Sequence, residues 1–269
     1  MKAYCLVREQ PWYRREAFTA GLKAAGHAVS LRQPERMDRD TVLVIWNRYG
    51  GNHELALEVE RKGGTVLVAE NGYLGAGGTS PKFDVHPAGP QPEHYYALAR
   101  GYHNDDARSV AGVAARFPAL GVAVKPWRTA GDHVLVCPNR AFGPPERAMH
   151  PDWATRCADR LSKHTRRPIH VRRHPGNDAP RRALAADLEG AWACVVWSSS
   201  CGVHALLQGV PVFAEAPHWI LKGAASAGPL DAPTLPEREP HLERMAWAQW
   251  RIDEIASGAA FRHLLQASP

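Results

Sequence analysis

Three short β-type segments lie close together between Pro168 and Ala214, and no other part of the chain constrains the fold as strongly. Ile169–Val171 and Cys194–Trp197 each end abruptly in polar residues, and Val210–Ala214 follows a short helical pattern. Strand, polar turn, helix and strand in this order are typical of α/β nucleotide-binding domains. Ligands of such sheets bind just beyond the carboxyl ends of the strands. We therefore look for a functional site among the polar residues that follow these strands.

The rest of the chain shows the same alternation of strands and helices. The patterns predict strands at Ala3–Val7, Ala28–Leu31, Thr41–Trp46, Thr65–Ala69 and His133–Cys137, and helices at Arg14–Ala25, Asn52–Lys62, Trp153–His164, Pro240–Ala256 and Ala259–Gln266. Parallel strands joined by right-handed crossovers are the natural assembly. The expected fold is α/β, with two Rossmann-like lobes whose parallel sheets face a central cleft. The expected ranges are 1–125 for the first lobe, 126–240 for the second, and 241–269 for C-terminal helices that pack back across the lobes.

The charge balance is moderately basic, and the cysteines are scattered. There are 33 Lys and Arg residues against 27 Asp and Glu, which gives a net charge of +6. This balance fits an ordinary basic protein, and it also fits a protein with a polyanionic partner. The five cysteines form no CxxC pair, which favours reduced thiols. The N-terminus lacks the apolar segment of a signal peptide, and no run approaches a membrane span, so we expect a cytoplasmic protein without membrane contact.

Basic side chains follow the predicted strands of the second lobe. Arg173 and His174 come shortly after one strand, and Arg140 follows another. Arginine forks suit phosphate oxygens, and a histidine near a diphosphate can offset the charge that develops on a leaving group. A solvated basic turn is the alternative interpretation.

A serine cluster precedes the helical pattern that follows Cys194–Trp197. Ser198, Ser199 and Ser200 stand beside the first helical amides, which lack internal partners and carry positive partial charge. Hydroxyls and amides in this position can cradle a phosphate, and Gly202 would let the backbone approach the ligand closely. The alternative is an ordinary helix N-cap without any ligand.

Polar and aromatic residues also follow two strands of the first lobe. The candidates for acceptor binding are Trp46, Asn47, Arg48, Tyr49, Asn71, Tyr73, His103 and Asn104. A long irregular region at 74–93 separates the first six from the last two, and loops of that length are often functional. Aromatic and amide groups of this kind can line an acceptor site, and a surface loop with ordinary packing aromatics is the alternative.

The order of these motifs resembles that of bacterial glycosyltransferases of the two-lobed GT-B type. His174-Pro175 after a strand, Ser198–Ser200 before a helix and the segment ALLQGVPVFA look closest to capsular polysaccharide glycosyltransferases and bacterial sialyltransferases. Those enzymes also carry an acidic-acidic-glycine motif in the first lobe, where this chain has Glu70-Asn71-Gly72. The likeness covers roughly Val134–Ala214 well and the first lobe by layout only.

The resemblance implies a role for each motif. His174 and the three serines would contact the phosphate of a sugar nucleotide, with UDP favoured over CMP as its nucleotide. Glu70 would be the general base on the acceptor hydroxyl in a direct displacement. Asn71 stands where the family often has a carboxylate, so Asp105, Asp106 and His103 remain in reserve as the base.

The resemblance requires neither a metal nor a tightly bound cofactor. Asp38-Arg39-Asp40 spells the DxD pattern of another glycosyltransferase architecture, but it precedes a strand, and we interpret it as a surface turn. A low-pKa nucleophile at Cys201 and a non-catalytic nucleotide-binding or nucleic-acid-binding module are the competing interpretations.

The acceptor is inferred from a second, looser resemblance. The residues after the first-lobe strands look like those of phage-encoded transferases that glycosylate hydroxymethylated bases in DNA. That likeness implies a hexosyltransferase acting in the host cytoplasm on a hydroxymethylated pyrimidine, such as 5-hydroxymethylcytosine, in double-stranded DNA. We expect the protein to be a monomer. The expected basic track consists of residues in or near the cleft-side loops of the first lobe: Arg48, Lys82, Arg100, Arg108, Arg116, Lys125 and Arg128. A surface polysaccharide or another saccharide acceptor is the alternative.

Overall fold

Two sheets, each covered by helices, hold most of the regular structure. The computed structural model describes residues 2–10, 13–74, 95–105, 111–174 and 183–266. The described residues up to Ala115, together with those from Ala246 onward, form the first unit, and Arg116–Met245 form the second. None of the helices in these described ranges is long and apolar enough to cross a membrane.

The strands and helices are numbered in chain order. They are β1 (Lys2–Leu6), α1 (Arg15–Ala24), β2 (Ala28–Ser30), β3 (Thr41–Trp46), α2 (Gly51–Arg61), β4 (Thr65–Asn71), β5 (Tyr95–Arg100), β6 (His133–Cys137), α3 (Trp153–Leu161), β7 (Ile169–Val171), α4 (Leu184–Leu188), β8 (Ala191–Val196), α5 (Cys201–Leu207), β9 (Val212–Ala214), α6 (Glu239–Ala246), β10 (Gln249–Arg251), α7 (Ile252–Ala256) and α8 (Ala259–Gln266). The predicted bounds of β3, β6, β7 and α8 coincide with the observed ones.

The first unit contains a six-stranded sheet in the order β10-β5-β4-β3-β1-β2. The strands β1 to β4 are parallel, whereas β5 runs antiparallel to β4 and β10 runs antiparallel to β5. Every residue of β3 is buried, as its apolar run predicts. Alternate residues of β3 face two cores: Val42 and Val44 pack with residues of α1, α7 and α8, and Leu43 and Ile45 pack with residues of α2.

The predicted helix at Pro240–Ala256 is wrong in its middle, where the structure contains the strand β10. Gln249 and Trp250 are both buried, and Trp250 pairs with Tyr96 of β5. The Gln249 side chain accepts hydrogen bonds from two main-chain amides after β4, at 2.9 and 3.0 Å. The edge of the sheet and these buried amides need an extended partner, and this tertiary demand outweighs local helical preference.

The second unit contains a four-stranded parallel sheet in the order β7-β6-β8-β9. This order repeats that of β2-β1-β3-β4 in the first unit. In each unit the chain runs from the first strand to a neighbour on one side, and then crosses to a neighbour on the other side of that first strand. Ligands of open α/β sheets bind at such a switch point, outside the carboxyl ends of the two strands. In the second unit this point lies between β6 and β8.

The observed units and the expected domain ranges differ near residue 116 and at the C-terminal end. Residues 116–125 belong to the second unit, where the amides of Lys125 and Arg128 donate to the carbonyls of Leu207 and Gly209 at 2.8 Å each. Gly209 has φ +76, and a Cβ there would lie 1.9 Å from the Pro126 carbonyl oxygen, so this close approach requires glycine.

Candidate functional site

A side-chain bridge connects the ends of β6 and β8 at the switch point of the second unit. Asn139 follows β6, and its Oδ1 accepts a hydrogen bond of 3.0 Å from the Ser198 amide. The main-chain amide of Asn139 donates a hydrogen bond of 3.3 Å to the Met149 sulfur. The bridge therefore fixes the start of the serine segment relative to β6.

The serine segment presents two main-chain amides for which the described residues offer no acceptor. The Ser199 hydroxyl accepts a hydrogen bond of 3.3 Å from the Cys201 amide, and the amides of Gly202 and Val203 donate to preceding carbonyls. The amides of Ser199 and Ser200 donate to no acceptor within the described part of the chain. Ser199 is buried and Ser200 is exposed. Adjacent amides of this kind are suited to an anion.

The side-chain positions of the serines differ from an ordinary N-cap. Ser200 stands at the N-cap position of α5 but makes no side-chain cap hydrogen bond. The neighbouring Ser199 hydroxyl takes that part instead, because it accepts from the Cys201 amide. The Ser199 hydroxyl is therefore used to cap the helix. The Ser200 hydroxyl forms no hydrogen bond with the described residues.

His174 follows β7 and is surrounded by cations. Burial, Arg140 and Arg172 lower the pKa of the His174 imidazole from 6.5 to about 4, with burial the largest cause. The ring is therefore neutral at pH 7. A bound anion would raise the pKa of His174 and so oppose the effect of the two arginines, because it favours the protonated ring.

The three arginines near His174 have different partners. Arg172 forms an ion pair with Asp187, and its amide donates to the Val136 carbonyl at 2.9 Å. The Arg140 guanidinium lies over the Phe142 ring, 5.4 Å from the ring centroid, and no described carboxylate pairs with it. Arg173 is exposed and makes no hydrogen bond, ion pair or ring contact with any described residue. Arg140 and Arg173 are therefore two cations near His174 that no described carboxylate compensates.

Gly202 has a packing role, which differs from the close ligand approach predicted for it. The residue is buried, and a Cβ at this position would lie 2.7 Å from Cζ2 of Trp219. The glycine is therefore required by the Trp219 ring. Trp197, another candidate for ligand contact, packs at 6.4 Å from the Trp153 ring and donates to the Arg147 carbonyl at 3.0 Å.

The cysteine at the start of α5 is unsuited to nucleophilic catalysis. Contact with Cys137 and burial raise the pKa of the Cys201 thiol well above 9. A nucleophilic cysteine requires the opposite shift. The geometry therefore disfavours the competing interpretation of Cys201.

Two carboxylates lie near Tyr73 in the first unit. Glu70 and Asp105 both act on the Tyr73 hydroxyl, and burial together with these charges raises the pKa of that phenol well above 10. The Tyr73 oxygen accepts a hydrogen bond of 2.8 Å from the Asn104 amide. The predicted residues Glu70, Tyr73 and Asn104 and the reserve candidate Asp105 therefore lie together, although Tyr73 and Asn104 are 31 residues apart in the sequence.

Glu70 and Asn71 belong to β4 itself and do not follow it. Glu70 pairs with Ala97 of β5, and one of its carboxylate oxygens accepts from the Asn71 amide at 3.0 Å. Glu70 is partly exposed, whereas Asp105 is 4% exposed. A general base must reach an acceptor hydroxyl, so Glu70 is the better placed of the two. Asp106 lies outside the described residues.

Arg48 is committed to a buried network of the first unit. Its guanidinium donates to both oxygens of Glu60, at 2.7 and 2.6 Å, and to the Gly101 carbonyl at 2.8 Å. It also lies 4.0 Å from the centroid of the Tyr102 ring. These partners explain why Arg48 is buried, with no need for a bound acceptor substrate. The role of Arg48 in binding that substrate stays a prediction.

The other residues after β3 have mixed surroundings. Trp46 is 3% exposed and packs edge-on against the rings of Tyr13 and Tyr96, so it is a core residue. Asn47 is in the left-handed region with φ 54, and Tyr49 is 52% exposed. Tyr49 is therefore the most accessible of these acceptor candidates. His103 lies in the turn segment that follows β5, next to Asn104.

The expected basic track is divided between the two units. Arg116, Lys125 and Arg128 belong to the second unit, although Arg116 and Lys125 fall within the range expected for the first lobe. The Arg128 guanidinium donates to the carbonyls of Leu188 and Ala191, so its charge serves the fold. Lys82 and Arg108 lie outside the described residues.

The DxD tripeptide forms a turn before β3, as predicted. Asp38 accepts hydrogen bonds of 3.0 Å from the Asp40 amide and from the Thr41 hydroxyl. Within the ranges that the structure describes, no group of three or more His, Cys, Asp or Glu side chains is arranged to hold a metal ion.

Solved structures resemble this chain over most of its length. Two parts of KpsC from Thermosulfurimonas dismutans align with it at 13% identity. The beta Kdo 2,7 transferase has a TM-score of 0.53 and covers 99% of this chain and 100% of its own. The beta Kdo 2,4 transferase has a TM-score of 0.54 and covers 92% and 90%. No protein-family model and no curated protein matches the sequence.

The structural likeness bears on the fold alone at this level of identity. Together with the two α/β units, it confirms the predicted GT-B-like α/β class with Rossmann-like lobes. Sequence reasoning missed Asn139 as a site residue and Gln249 as a support of the first unit. Asn139 was detectable as an amide directly after a strand at the switch point, whereas the partner of Gln249 is about 175 residues away.

Proposed function

We propose that this protein is a glycosyltransferase that moves a sugar from a nucleotide sugar to a hydroxyl of a saccharide acceptor. The observation that carries the proposal is a set of groups suited to an anion near the β6–β8 switch point. Among the described residues, the amides of Ser199 and Ser200 find no acceptor, and neither Arg140, which follows β6, nor Arg173, which follows β7, pairs with a carboxylate. The GT-B-like fold supports the proposal, because the structures that share it are named as Kdo transferases.

The second unit would bind the diphosphate or monophosphate of the donor. The amides of the serine segment and the two guanidinium groups would offset the negative charge that grows on the departing phosphate. His174 is neutral at pH 7 and gains a proton more readily once an anion is bound. It can therefore donate a hydrogen bond to the phosphate before transfer and carry positive charge as the phosphate leaves.

Glu70 of the first unit would remove the proton from the acceptor hydroxyl. The bond from the anomeric carbon to the phosphate oxygen breaks as the bond to the acceptor oxygen forms. The electron pair remains on the phosphate, and the acceptor proton moves to the Glu70 carboxylate. Tyr73 and Asp105 lie near Glu70 and would line the acceptor site around it.

A saccharide acceptor is better supported than a hydroxymethylated base in DNA. DNA binding requires a continuous set of unpaired cations along the phosphates. In this chain, Arg48 is paired with Glu60, and Arg128 donates to main-chain carbonyls. A neutral or acidic saccharide needs no such track, and aromatic and amide groups near Glu70 suit its hydroxyls.

The proposal is tested by nucleotide binding followed by transfer. Thermal unfolding with UDP and CMP, and turnover of UDP-linked and CMP-linked sugars with saccharide acceptors and hydroxymethylated DNA, are measured in parallel. Saturating nucleotide at about 100 times its Kd should stabilise the protein by about 2.7 kcal/mol. His174→Ala should reduce turnover roughly 10²-fold or more, whereas His164→Ala, an exposed histidine of the same unit, should have no effect.

Two results would contradict the proposal. If neither nucleotide raises the melting temperature and no sugar is transferred, the anion site does not serve a donor. If transfer occurs only to hydroxymethylated DNA, the saccharide acceptor is wrong and the DNA acceptor is correct.

A further inference from the structure

Arg8 lies at the switch point of the first unit. There the chain places β2 on one side of β1 and β3 on the other, so this point lies between the carboxyl ends of β1 and β3. Arg8 follows two residues after the end of β1, and its side chain is exposed. Because ligands of open α/β sheets bind at such points, Arg8 stands where a ligand of the first unit is expected.

Three arginines follow β1, and they differ in their partners. Arg14 forms an ion pair with Glu16, and Arg15 forms one with Glu9, each at 2.7 Å. Arg8 pairs with no carboxylate among the described residues, although both glutamates belong to the same segment of the chain. A guanidinium is charged at every physiological pH. The positive charge of Arg8 is therefore left for an anion.

Neutral groups hold the Arg8 side chain. Its guanidinium donates a hydrogen bond of 3.2 Å to the Tyr13 hydroxyl and lies 5.5 Å from the centroid of the same ring. The Tyr13 ring packs edge-on against Trp46 at the end of β3, with 4.6 Å between the ring centroids. Tyr13 thus orients the guanidinium against the core of the sheet without neutralising it. The remaining N–H groups suit the two oxygens of a carboxylate.

The side-chain oxygen of Asn71 needs a hydrogen-bond donor. Asn71 ends β4, two residues after Ala69, which packs in the same core cluster as Trp46. Since side chains alternate along a strand, Asn71 lies on that face of the sheet. Its Oδ1 is buried and has no hydrogen-bond partner in the described part of the chain. This oxygen can only accept, and leaving it unpaired is unfavourable, so a ligand with a hydroxyl suits it.

An acidic saccharide offers both groups at a suitable separation. Only β3 lies between β1 and β4, so the ends of these two strands are roughly 10 Å apart. A chain of two sugar rings can extend between them, with a carboxylate at Arg8 and a hydroxyl at Asn71. A phosphodiester chain fits less well, because its phosphate oxygens carry no proton for the Asn71 oxygen.

We propose that Arg8 binds a carboxylate of the acceptor and that Asn71 accepts a hydrogen bond from one of its hydroxyl groups. The acceptor is then an acidic saccharide, and Arg8 selects it against neutral ones. The inference rests on the function proposed above, and it adds the chemical class of the acceptor. Glu70, the base of that proposal, directly precedes Asn71 in β4.

The test compares acidic disaccharides with their neutral esters. Digalacturonate and the glucuronate disaccharide of hyaluronan, each beside its methyl ester, are titrated by calorimetry into the wild type and the variants. Arg8→Gln should weaken the acids roughly 10- to 150-fold and leave the esters unchanged. Arg14→Gln is the matched control and should bind all four normally, because Arg14 is already paired with Glu16. Asn71→Leu should weaken acids and esters alike.

UMP and CMP are titrated into the same proteins to separate this inference from the proposed function. Their affinity should not change in Arg8→Gln, since the donor residues belong to the second unit. Equal binding of acids and esters by the wild type, or equal losses in Arg8→Gln and Arg14→Gln, overturns the role of Arg8. If a nucleotide binds and neither acid does, the acidic acceptor is wrong while the donor site stands. If neither nucleotides nor saccharides bind, the proposed function is wrong as well.

Discussion

The pKa of His174 should rise when the charge of Arg140 is removed. Burial, Arg140 and Arg172, in that order, lower this pKa from 6.5 to about 4. Because burial contributes most, Arg140 accounts for less than half of the difference. In Arg140→Gln, which keeps a similar chain length, the pKa of His174 should therefore lie between about 4 and about 5.

The assay is an NMR titration of the histidine ring resonances from pH 3 to pH 8. Arg173→Gln is the matched control, since Arg173 precedes His174 directly and is exposed, yet it is not among the causes of the shift. The control should leave the pKa of His174 at about 4. An unchanged pKa in Arg140→Gln, or an equal rise in Arg173→Gln, would show that Arg140 does not lower the pKa of His174.

The same shift predicts how anion binding depends on pH. An anion that binds near His174 raises its pKa, so binding is accompanied by proton uptake and must strengthen as the pH falls from 6.5 toward 4. Sulfate is a suitable probe because it keeps both charges across this range. Its pH dependence should vanish in His174→Gln, and a wild-type affinity that stays constant from pH 7 to pH 4 would contradict the assignment.

Three further predictions concern other parts of the chain. Glu70→Gln should lower transfer by roughly 10²- to 10⁴-fold with unchanged affinity for the donor nucleotide, and a loss of nucleotide affinity would argue against its role as base. Arg48→Met should destabilise the protein by about 3 kcal/mol in urea unfolding, because it leaves Glu60 unpaired; Arg48→Met with Glu60→Leu should be less destabilised than the single variant. Gly202→Ala should cost about 1–3 kcal/mol through contact with Trp219, and unchanged stability would show that the ring can move aside.

The sequence predicts the parallel strands of both units well, because their apolar runs are short, continuous and closed by polar residues, whereas it misses the antiparallel strands β5 and β10. Thr41–Trp46 is buried on both faces, and such a strand leaves an unambiguous pattern. The carboxyl ends of the strands are predicted with them, and these ends bring His174 and Ser198–Ser200 to one edge of one sheet. The position of the proposed anion site therefore follows from local sequence alone.

The parts that sequence could not provide depend on partners far away in the chain. The strand β10 forms because Tyr96 and the amides after β4 need Gln249 and Trp250, and no local pattern marks that need. For the same reason, the sequence alone could not predict the surroundings of some individual residues. The local pattern suggests a ligand contact for Gly202 and a surface charge for Arg48, whereas the structure places Trp219 against Gly202 and Glu60 against Arg48.

The discontinuous first unit has a consequence for synthesis on the ribosome. The strand β10 and the helices α7 and α8 complete the first sheet and its core, yet they are translated after the whole of the second unit. At the usual rate of about 5–20 residues per second, the first unit waits roughly 8–30 seconds for its final elements. The second unit, whose residues are contiguous, is free to fold during that interval. Meanwhile the edge of β5 lies uncovered, which is the period in which nascent chains are most exposed to strand-mediated aggregation.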